Sequence, residues 1–379
     1  MAPSNHFSLP SELIEEILYR TPVESLLRFK ATCKQWCTLI SSDKRFMHNH
    51  LDHSPEQFIR IDDDQTVQIM DPVTRILSES PIPYEFRNPF PVSSMVHCDG
   101  LMLCVCDDLN NGRVRYGNLA VWNPFLKNIK WIQPSVCYWG TDYFGFGYDK
   151  ASRHNYKILR FSGDVSFSRV EESDPRKCEI YDFDSVSWRS IDAEFGVDVD
   201  TDCVGVSVEG SMYWIAQKKE SEFFILCFDF SLETFTDVCV CPPFWDTRRL
   251  GCFNGDRLSL LTQDEESMEI HVWVTKKLSD VVVSFSKYFS VTRSDLPALQ
   301  FHGDMALPGY FIGKKRNIMA WCEGDEEEDD KLYTCITFYE IDQGGVRKQI
   351  ETGRHGLSEY NDPLICSYGY VPSLIPVPK

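Results

Sequence analysis

The 379-residue chain contains no Asn-x-Ser/Thr glycosylation acceptor and no apolar run near the ~18 residues that span a bilayer. Its first fifteen residues, MAPSNHFSLPSELIE, show no basic start followed by an apolar stretch, so a secretory leader is not expected. No G-x-G-x-x-G or Walker pattern occurs, which leaves Gly100, Gly145, Gly147 and Gly210 as turn or strand glycines. Cysteine is not scarce, but its count of 15 is odd; together with the missing acceptors this fits a reducing compartment. A soluble protein of the cytoplasm and/or nucleus is expected. Basic charge is scarce as well: 38 Lys and Arg face 57 Asp and Glu, a balance of −19. Residues 1–54 carry six of each sign, so the deficit lies in the remainder, 32 against 51. Such a body repels phosphate and gains nothing from counterion release, so neither nucleic acid nor an anionic membrane is an expected partner.

What is present is core-forming material, 43% apolar and 13% aromatic, in two unlike parts. Residues 1–54 suggest a small all-α domain. Pro10 suits a helix start, because its missing N–H would be unpaired there anyway. Leu13, Ile14, Ile17 and Leu18 then fall on one helical face, with Glu12, Glu15 and Glu16 directed elsewhere. Thr21-Pro22-Val23-Glu24 matches a capping box and opens a second helix carrying Val23, Leu26 and Leu27. A third begins near Thr32, with Cys33, Trp36, Cys37 and Ile40 at i, i+3, i+4, i+7. Forty residues cannot bury that much apolar surface alone, so the rest of the chain or another protein must cover part of it.

The run LPSELIEEILYRTPVESLLRFKATCKQWCTLISSDKRF resembles the F-box, the helical segment by which substrate receptors dock onto the Skp adaptor of cullin–RING ubiquitin ligases. The resemblance joins the Leu-Pro opening, the Leu/Ile/Leu stripe, Pro-Val, Leu-Leu-Arg-Phe and Cys-Lys-x-Trp. It implies adaptor contacts at Leu9, Pro10, Leu13, Ile14, Ile17, Leu18, Pro22, Val23, Leu26, Leu27, Cys33, Lys34 and Trp36. Thr21 stands where Leu is usual, and Cys37 where Arg is common. Leu27, Phe29, Leu39 and Ile40 are equally suited to holding the helices together.

Residues 55–379 change to a strand pattern: a β-rich run, a turn with Asp or Asn, then a second run with Trp or Phe. VQIMDPVTRIL, LAVWNPFLKNIKWI, CEIYDFDSVSWRSI and ILCFDFSLETFTDV are anchored on Asp71, Asn123, Asp182 and Asp229, at intervals of 52, 59 and 47. HVWVTKKLSDVVVSF and ITFYEIDQGGVRKQI are weaker relatives. A second hairpin type, VHCDGLMLCVC, VSVEGSMYWIA and CFNGDRLSLLT, carries Gly-containing turns that supply positive φ. One hairpin of each type makes four strands, and about six such units fit. A four-stranded sheet cannot bury both faces alone, whereas a closed ring can; the expected fold is therefore mainly β, a kelch-like β-propeller of about six divergent blades. SYGYVPSLIPV is a candidate ring-closing strand. CDGLMLC, VWNPF, YFGFGYD with YKILRF, and GSMYWIA with ILCFDF resemble the F-box-associated domain of plant F-box proteins.

Other candidate chemistry reduces to structure. Gly205-Val206-Ser207-Val208-Glu209-Gly210 lacks the last glycine of a nucleophile elbow and runs into a hairpin rather than a helix. Cys33/Cys37, Cys104/Cys106 and Cys239/Cys241 are expected to be buried thiols, each Cys-x-Cys pair with its sulfurs on opposite faces, and His48, His50 and His53 surface imidazoles; no metal or cofactor is expected. The acidic run Gly324–Lys331 is expected to be a solvated loop, alternatively a landing site for a basic partner. Tyr138-Trp139, Phe144, Phe244-Trp245 and Tyr310-Phe311 are candidates for a propeller rim.

The resemblance implies a non-catalytic substrate receptor of a Skp–cullin–F-box ligase. It would bind a Skp adaptor, through it cullin and a RING subunit, and an unknown client held by the propeller. The competing readings are a kelch-like scaffold outside any ligase and a propeller hydrolase built on paired carboxylates.

Overall fold

The computed structural model describes residues 9–61, 66–72, 74–87, 92–107, 116–135, 142–162, 178–193, 197–200, 204–218, 222–243, 247–264, 266–293, 295–299, 310–313, 315–328, 331–356 and 366–379. Four helices come first: α1 Ser11–Tyr19, α2 Val23–Phe29, α3 Lys34–Ser42 and α4 Lys44–His53. Both α1 and α2 start directly behind a proline, Pro10 and Pro22, whose ring holds φ at −52° and −54°. The expected capping box does not form. Pro22 occupies the capping position, and the Thr21 hydroxyl donates 2.9 Å to Ile17 O at the end of α1 instead. The third helix starts at Lys34 rather than Thr32, with Cys33 extended and its sulfur accepting the Trp36 N–H. Asp43 caps α4 by accepting from Phe46 N at 3.0 Å. The buried face of α4 is Phe46, Met47, His50 and Leu51, so a histidine fills a helical-period position where the sequence shows no apolar residue.

Six antiparallel sheets follow. Strand by strand from the inside out, blade 1 is Cys366–Tyr370, Gln57–Ile61, Thr66–Met70 and Leu77–Pro81. Blade 2 is Val92–Cys98, Leu101–Asp107, Tyr116–Asn123 and Asn128–Ile132; blade 3 is Asp142–Asp149, Ser152–Ser162, Cys178–Asp182 and Ser187–Ser190. In blade 4 the inner strand is broken into Asp198–Val199 and Val206–Val208, both pairing with Ser211–Lys218, ahead of Glu222–Asp229 and Thr234–Val240. Blade 5 is Thr247–Phe253, Arg257–Gln263, Ile270–Thr275 and Phe285–Val291; blade 6 is Tyr310–Gly313, Asn317–Glu328, Lys331–Asp342 and Gly345–Gly356. The fold is a six-bladed propeller behind four short helices. The candidate closing segment supplies the inner strand of blade 1, Ile59 pairing with Tyr368, and joins the chain's two ends in one sheet.

Both hairpin types owe their shape to turn chemistry. In the inner hairpins of blades 2, 4 and 5, Asp99-Gly100, Glu209-Gly210 and Asn254-Gly255 all take positive φ, between 49° and 81°. In the outer hairpins the Asp or Asn anchor caps its own turn: Asn123 Oδ1 accepts from Phe125 N and Leu126 N, and Asp229 Oδ1 from Ser231 N and Leu232 N. Four residues after each anchor, Arg75, Lys127, Val186 and Glu233 are left-handed, with φ between 53° and 60°. The repeat is thus a repeated turn, which constrains few of the residues between turns.

The middle strands alternate between two neighbouring cores. Leu101, Leu103 and Val105 face the core shared by blades 2, 3 and 4, while Met102, Cys104 and Cys106 face the core against blade 1. Cys104 and Cys106 therefore share one face, contrary to expectation, because a period of two returns a side chain to the same side. Met212, Trp214 and Ala216 likewise face one way and Tyr213 and Ile215 the other. Phe58 stacks on fully buried Trp321 at 4.6 Å and seals blade 1 against blade 6.

The acidic run is not a free loop. Its residues up to Glu328 continue the second strand of blade 6, paired with the strand beginning at Lys331; Asp329 and Asp330 lie outside the described residues. Tyr138-Trp139 and Phe244-Trp245 also lie outside them, and Phe144 is buried rather than on the rim. Ser207 sits in the inner strand of blade 4, opposite Met212.

Candidate docking surfaces and the propeller channel

The helices divide the expected contact residues into two groups. Leu9, Leu13 and Ile17 are 55%, 51% and 57% exposed and stand in one row along the start and outer face of α1. Pro10, Pro22, Cys33 and Lys34 are exposed, and Ile14, Leu27 and Trp36 half-buried. Leu18, Val23 and Leu26 are only 3%, 2% and 0% exposed. As corrections to the expected contact set, these three have no area left to offer, because they form the helices' own core with Ile40, Phe46 and Leu51. Trp36 packs against Phe29, with ring centroids 5.3 Å apart.

A polar cluster that the helical stripe does not reveal fixes α1 on α4. Tyr19 Oη donates to Glu15 Oε2 at 2.8 Å, Arg45 Nη2 donates to the same oxygen at 2.8 Å, and Asn49 Nδ2 donates to Tyr19 Oη at 3.2 Å. Glu15, placed by the sequence pattern on the outer face, is half-buried here. His50 is buried, not a surface imidazole: its Nε2 lies 2.8 Å from Thr21 O, and burial lowers its pKa.

The helices sit on the propeller face that carries the inner-hairpin turns. Arg153, just past the inner turn of blade 3, donates to Asp99 at 3.0 and 3.1 Å and to Asp52 of α4 at 3.0 Å. Tyr156 Oη donates 3.1 Å to the same Asp99. His48 and His154 meet across the junction at 3.2 Å. Apolar residues of α1–α4 belong to the same core cluster as blades 2–4 and as Leu374 and Ile375 of the C-terminal segment.

Beside this junction opens the central channel, about 1440 Å³, lined by the inner strands and by Leu51–Glu56. Its walls carry both signs of charge. Asp99 is held by Arg153, Glu340 by Arg75 at 2.9 Å, and Asp256 by Lys277 at 2.8 Å. His97 Nε2 accepts from Gly100 N at 2.9 Å and Val371 N at 3.3 Å, so the proton sits on Nδ1. Burial pulls the imidazole down to about 4.

Among the described residues, three groups in metal-ligand proximity are Glu326, Cys335 and Glu351, on the long blade 6 strands. Arg354 ion-pairs with both carboxylates at 2.9 Å and supplies the positive charge that a cation would bring. No helix of the described residues is long and apolar enough to cross a membrane.

An apolar row on a capping helical segment, held against a six-bladed propeller, defines the class that sequence comparison finds. Residues 7–48 match the F-box domain and residues 46–377 the F-box associated beta propeller domain, and the chain belongs to this family of F-box proteins. Over 98% of both chains it is 64% identical to "Putative F-box only protein 15" of Arabidopsis thaliana. It is 61% identical to "F-box protein At3g08750" of the same plant, over 98% of this chain and 97% of that one. "F-box/WD-40 repeat-containing protein 1", also from Arabidopsis thaliana, is 40% identical over 98% of this chain and 89% of its own length.

Proposed function

We propose that this chain is the substrate-recognition subunit of a Skp–cullin–F-box ubiquitin ligase. The observation that carries the reading is the row Leu9, Leu13 and Ile17, each more than half exposed on a segment whose Leu18, Val23, Leu26 and Ile40 are packed. Burying three such side chains against a partner is worth several kcal/mol at about 25 cal/mol per Å². The adaptor face is this row together with Pro10, Ile14, Pro22, Leu27, Cys33, Lys34 and Trp36. Leu18, Val23 and Leu26 act one layer below, by holding α1 and α2 in register.

The chain breaks no bond itself. Its contribution is proximity: a client held by the propeller has its lysines raised in effective concentration beside the ubiquitin-loaded enzyme that adaptor, cullin and RING subunit bring. The helices cover part of the face carrying the inner turns, so the client docks on the opposite face, where the acidic blade 6 hairpin ends. A propeller cross-linked by inter-blade cores keeps the two ends at a fixed distance, and the protein works in the cytoplasm and/or nucleus.

Affinity capture with the proteasome blocked, comparing the intact chain with one lacking residues 1–54, tests this. The account expects adaptor and cullin with the intact chain only, and one set of client proteins enriched with both. Clients without any cullin would instead support a kelch-like binding module outside a ligase.

A further inference from the structure

Cys33 and Cys37 were expected to be buried, and both are exposed. The other cysteines whose side chains the structure describes are buried or half-buried. Burial pushes the thiols of Cys227 and Cys239 up to about 11, and that of Cys178 up to about 12, which removes them from thiolate chemistry at neutral pH. The exposed pair differs in three ways. Cys33 caps α3, with its Sγ accepting the Trp36 N–H at 3.5 Å, and Cys37 follows one turn later, its N–H donating 3.0 Å to Cys33 O. Residues 25–42 include Arg28, Lys30 and Lys34 and not one Asp or Glu, so the segment is a cationic island in an acidic protein. Cys33 belongs to the face assigned above to the adaptor, next in the chain to Lys34, and Cys37 lies one turn further along α3, next to Trp36.

We propose that Cys33 and Cys37 are a reversible thiol-modification site, at which an anionic low-molecular-weight disulfide forms mixed disulfides that block adaptor docking. The inference rests on the docking reading given above. In each step a cysteine thiolate attacks one sulfur of the small disulfide RSSR. A protein–S–S–R bond forms, the S–S bond of the reagent breaks, and RS⁻ leaves and takes up the proton that the thiol gave to water. A second thiol reverses the exchange. An internal Cys33–Cys37 disulfide is not the product. Side chains one helical turn apart have Cβ atoms about 5–6 Å from each other, against about 3.8 Å in a disulfide, so closure would pull Cys33 out of its cap. The cations draw an anionic reagent toward the site, and an anionic adduct on Cys33 adds bulk and negative charge next to Lys34, within the face assigned to the adaptor.

The test uses the full chain, a recombinant Skp adaptor and oxidised glutathione. Peptide-resolved mass spectrometry is expected to find glutathione on Cys33 and Cys37 well before the buried thiols, and bound adaptor is expected to slow both at least tenfold. Adaptor capture is expected to fall about tenfold on oxidation and to recover with dithiothreitol. In the Cys33→Ser/Cys37→Ser variant, in which serine keeps the cap, whatever adaptor capture remains is expected to be the same with and without the oxidant. Modification at Cys33 and Cys37 with undiminished capture overturns the proposal, as does equal loss in the double variant or an internal disulfide as the main product. If the reduced chain fails to bind adaptor at all, the docking reading fails instead. The thiol assignment is then decided by the mass spectra alone: slow labelling at Cys33 and Cys37 refutes it.

Discussion

Arg153 of blade 3 reaches Asp52 at the end of α4, 3.0 Å away, while its remaining nitrogens hold Asp99 of blade 2. One guanidinium thereby fastens the helical segment to two blades. With Arg153 changed to Ala, Asp99 is left with its bond to Tyr156 among the described residues, and α4 loses its ion pair through Asp52. A loss of about 1–3 kcal/mol is expected, less than for a fully buried pair because Arg153 is part-exposed. Urea denaturation measures it, and limited proteolysis is expected to cut faster near Ser54. An unchanged midpoint and cleavage rate would show that the apolar contacts alone fix the junction.

His97 gives the ring a pH dependence of known sign. Its imidazole is pulled by burial from the usual 6.5 down to about 4, so between those values the unfolded chain takes up the proton and the folded one does not. The stabilisation is complete above pH 6.5 and is lost as pH falls from there toward 4, on the order of 1–3 kcal/mol. His97→Gln keeps an acceptor for Gly100 N and Val371 N without titrating. The gap between the thermal midpoints of the two proteins is expected to change between pH 7.5 and 4.5, the native chain losing more. Parallel curves would contradict this.

Ring closure depends on the last fourteen residues. Cys366–Tyr370 is the inner strand of blade 1, and Asn123 donates its amide to Ser373 O at 3.2 Å and Ile375 O at 2.8 Å. Deleting residues 366–379 leaves the strand Gln57–Ile61 as an open inner edge, and such edges pair with other chains. Broadened unfolding and concentration-dependent association in light scattering are expected. A monomer with sharp unfolding would show that blade 1 closes without that strand.

Much of this architecture was legible because turns carry it. The anchors Asp71, Asn123, Asp182 and Asp229 marked four outer hairpins, since an Asx side chain and a left-handed residue four places on are local requirements. Asn123 differs from the other three because its amide must also donate to the C-terminal segment, a contact 250 residues away that no local pattern contains. The junction was hidden for the same reason: Arg153, Asp99 and Asp52 are ordinary surface types until folding brings them together. The exposed row on α1 was legible and its depth was not. Helical period puts Leu13, Ile14, Ile17 and Leu18 on one broad face, and only packing separates Leu18 from Ile17.

That separation predicts opposite effects from similar substitutions. Leu26→Ala removes a fully buried side chain and is expected to cost about 2–5 kcal/mol of stability. Leu13→Ala, at a half-exposed position, is expected to change stability by under about 1 kcal/mol. Thermal melts of the two variants check this, and equal destabilisation would contradict the burial pattern.

The central claim concerns what covers the row on α1, and calorimetric titration of the Skp adaptor into the full chain tests it most directly. Leu13→Asp with Ile17→Asp is expected to abolish measurable binding while leaving the thermal midpoint and circular dichroism as they were. Native-strength binding by that folded variant would contradict the account.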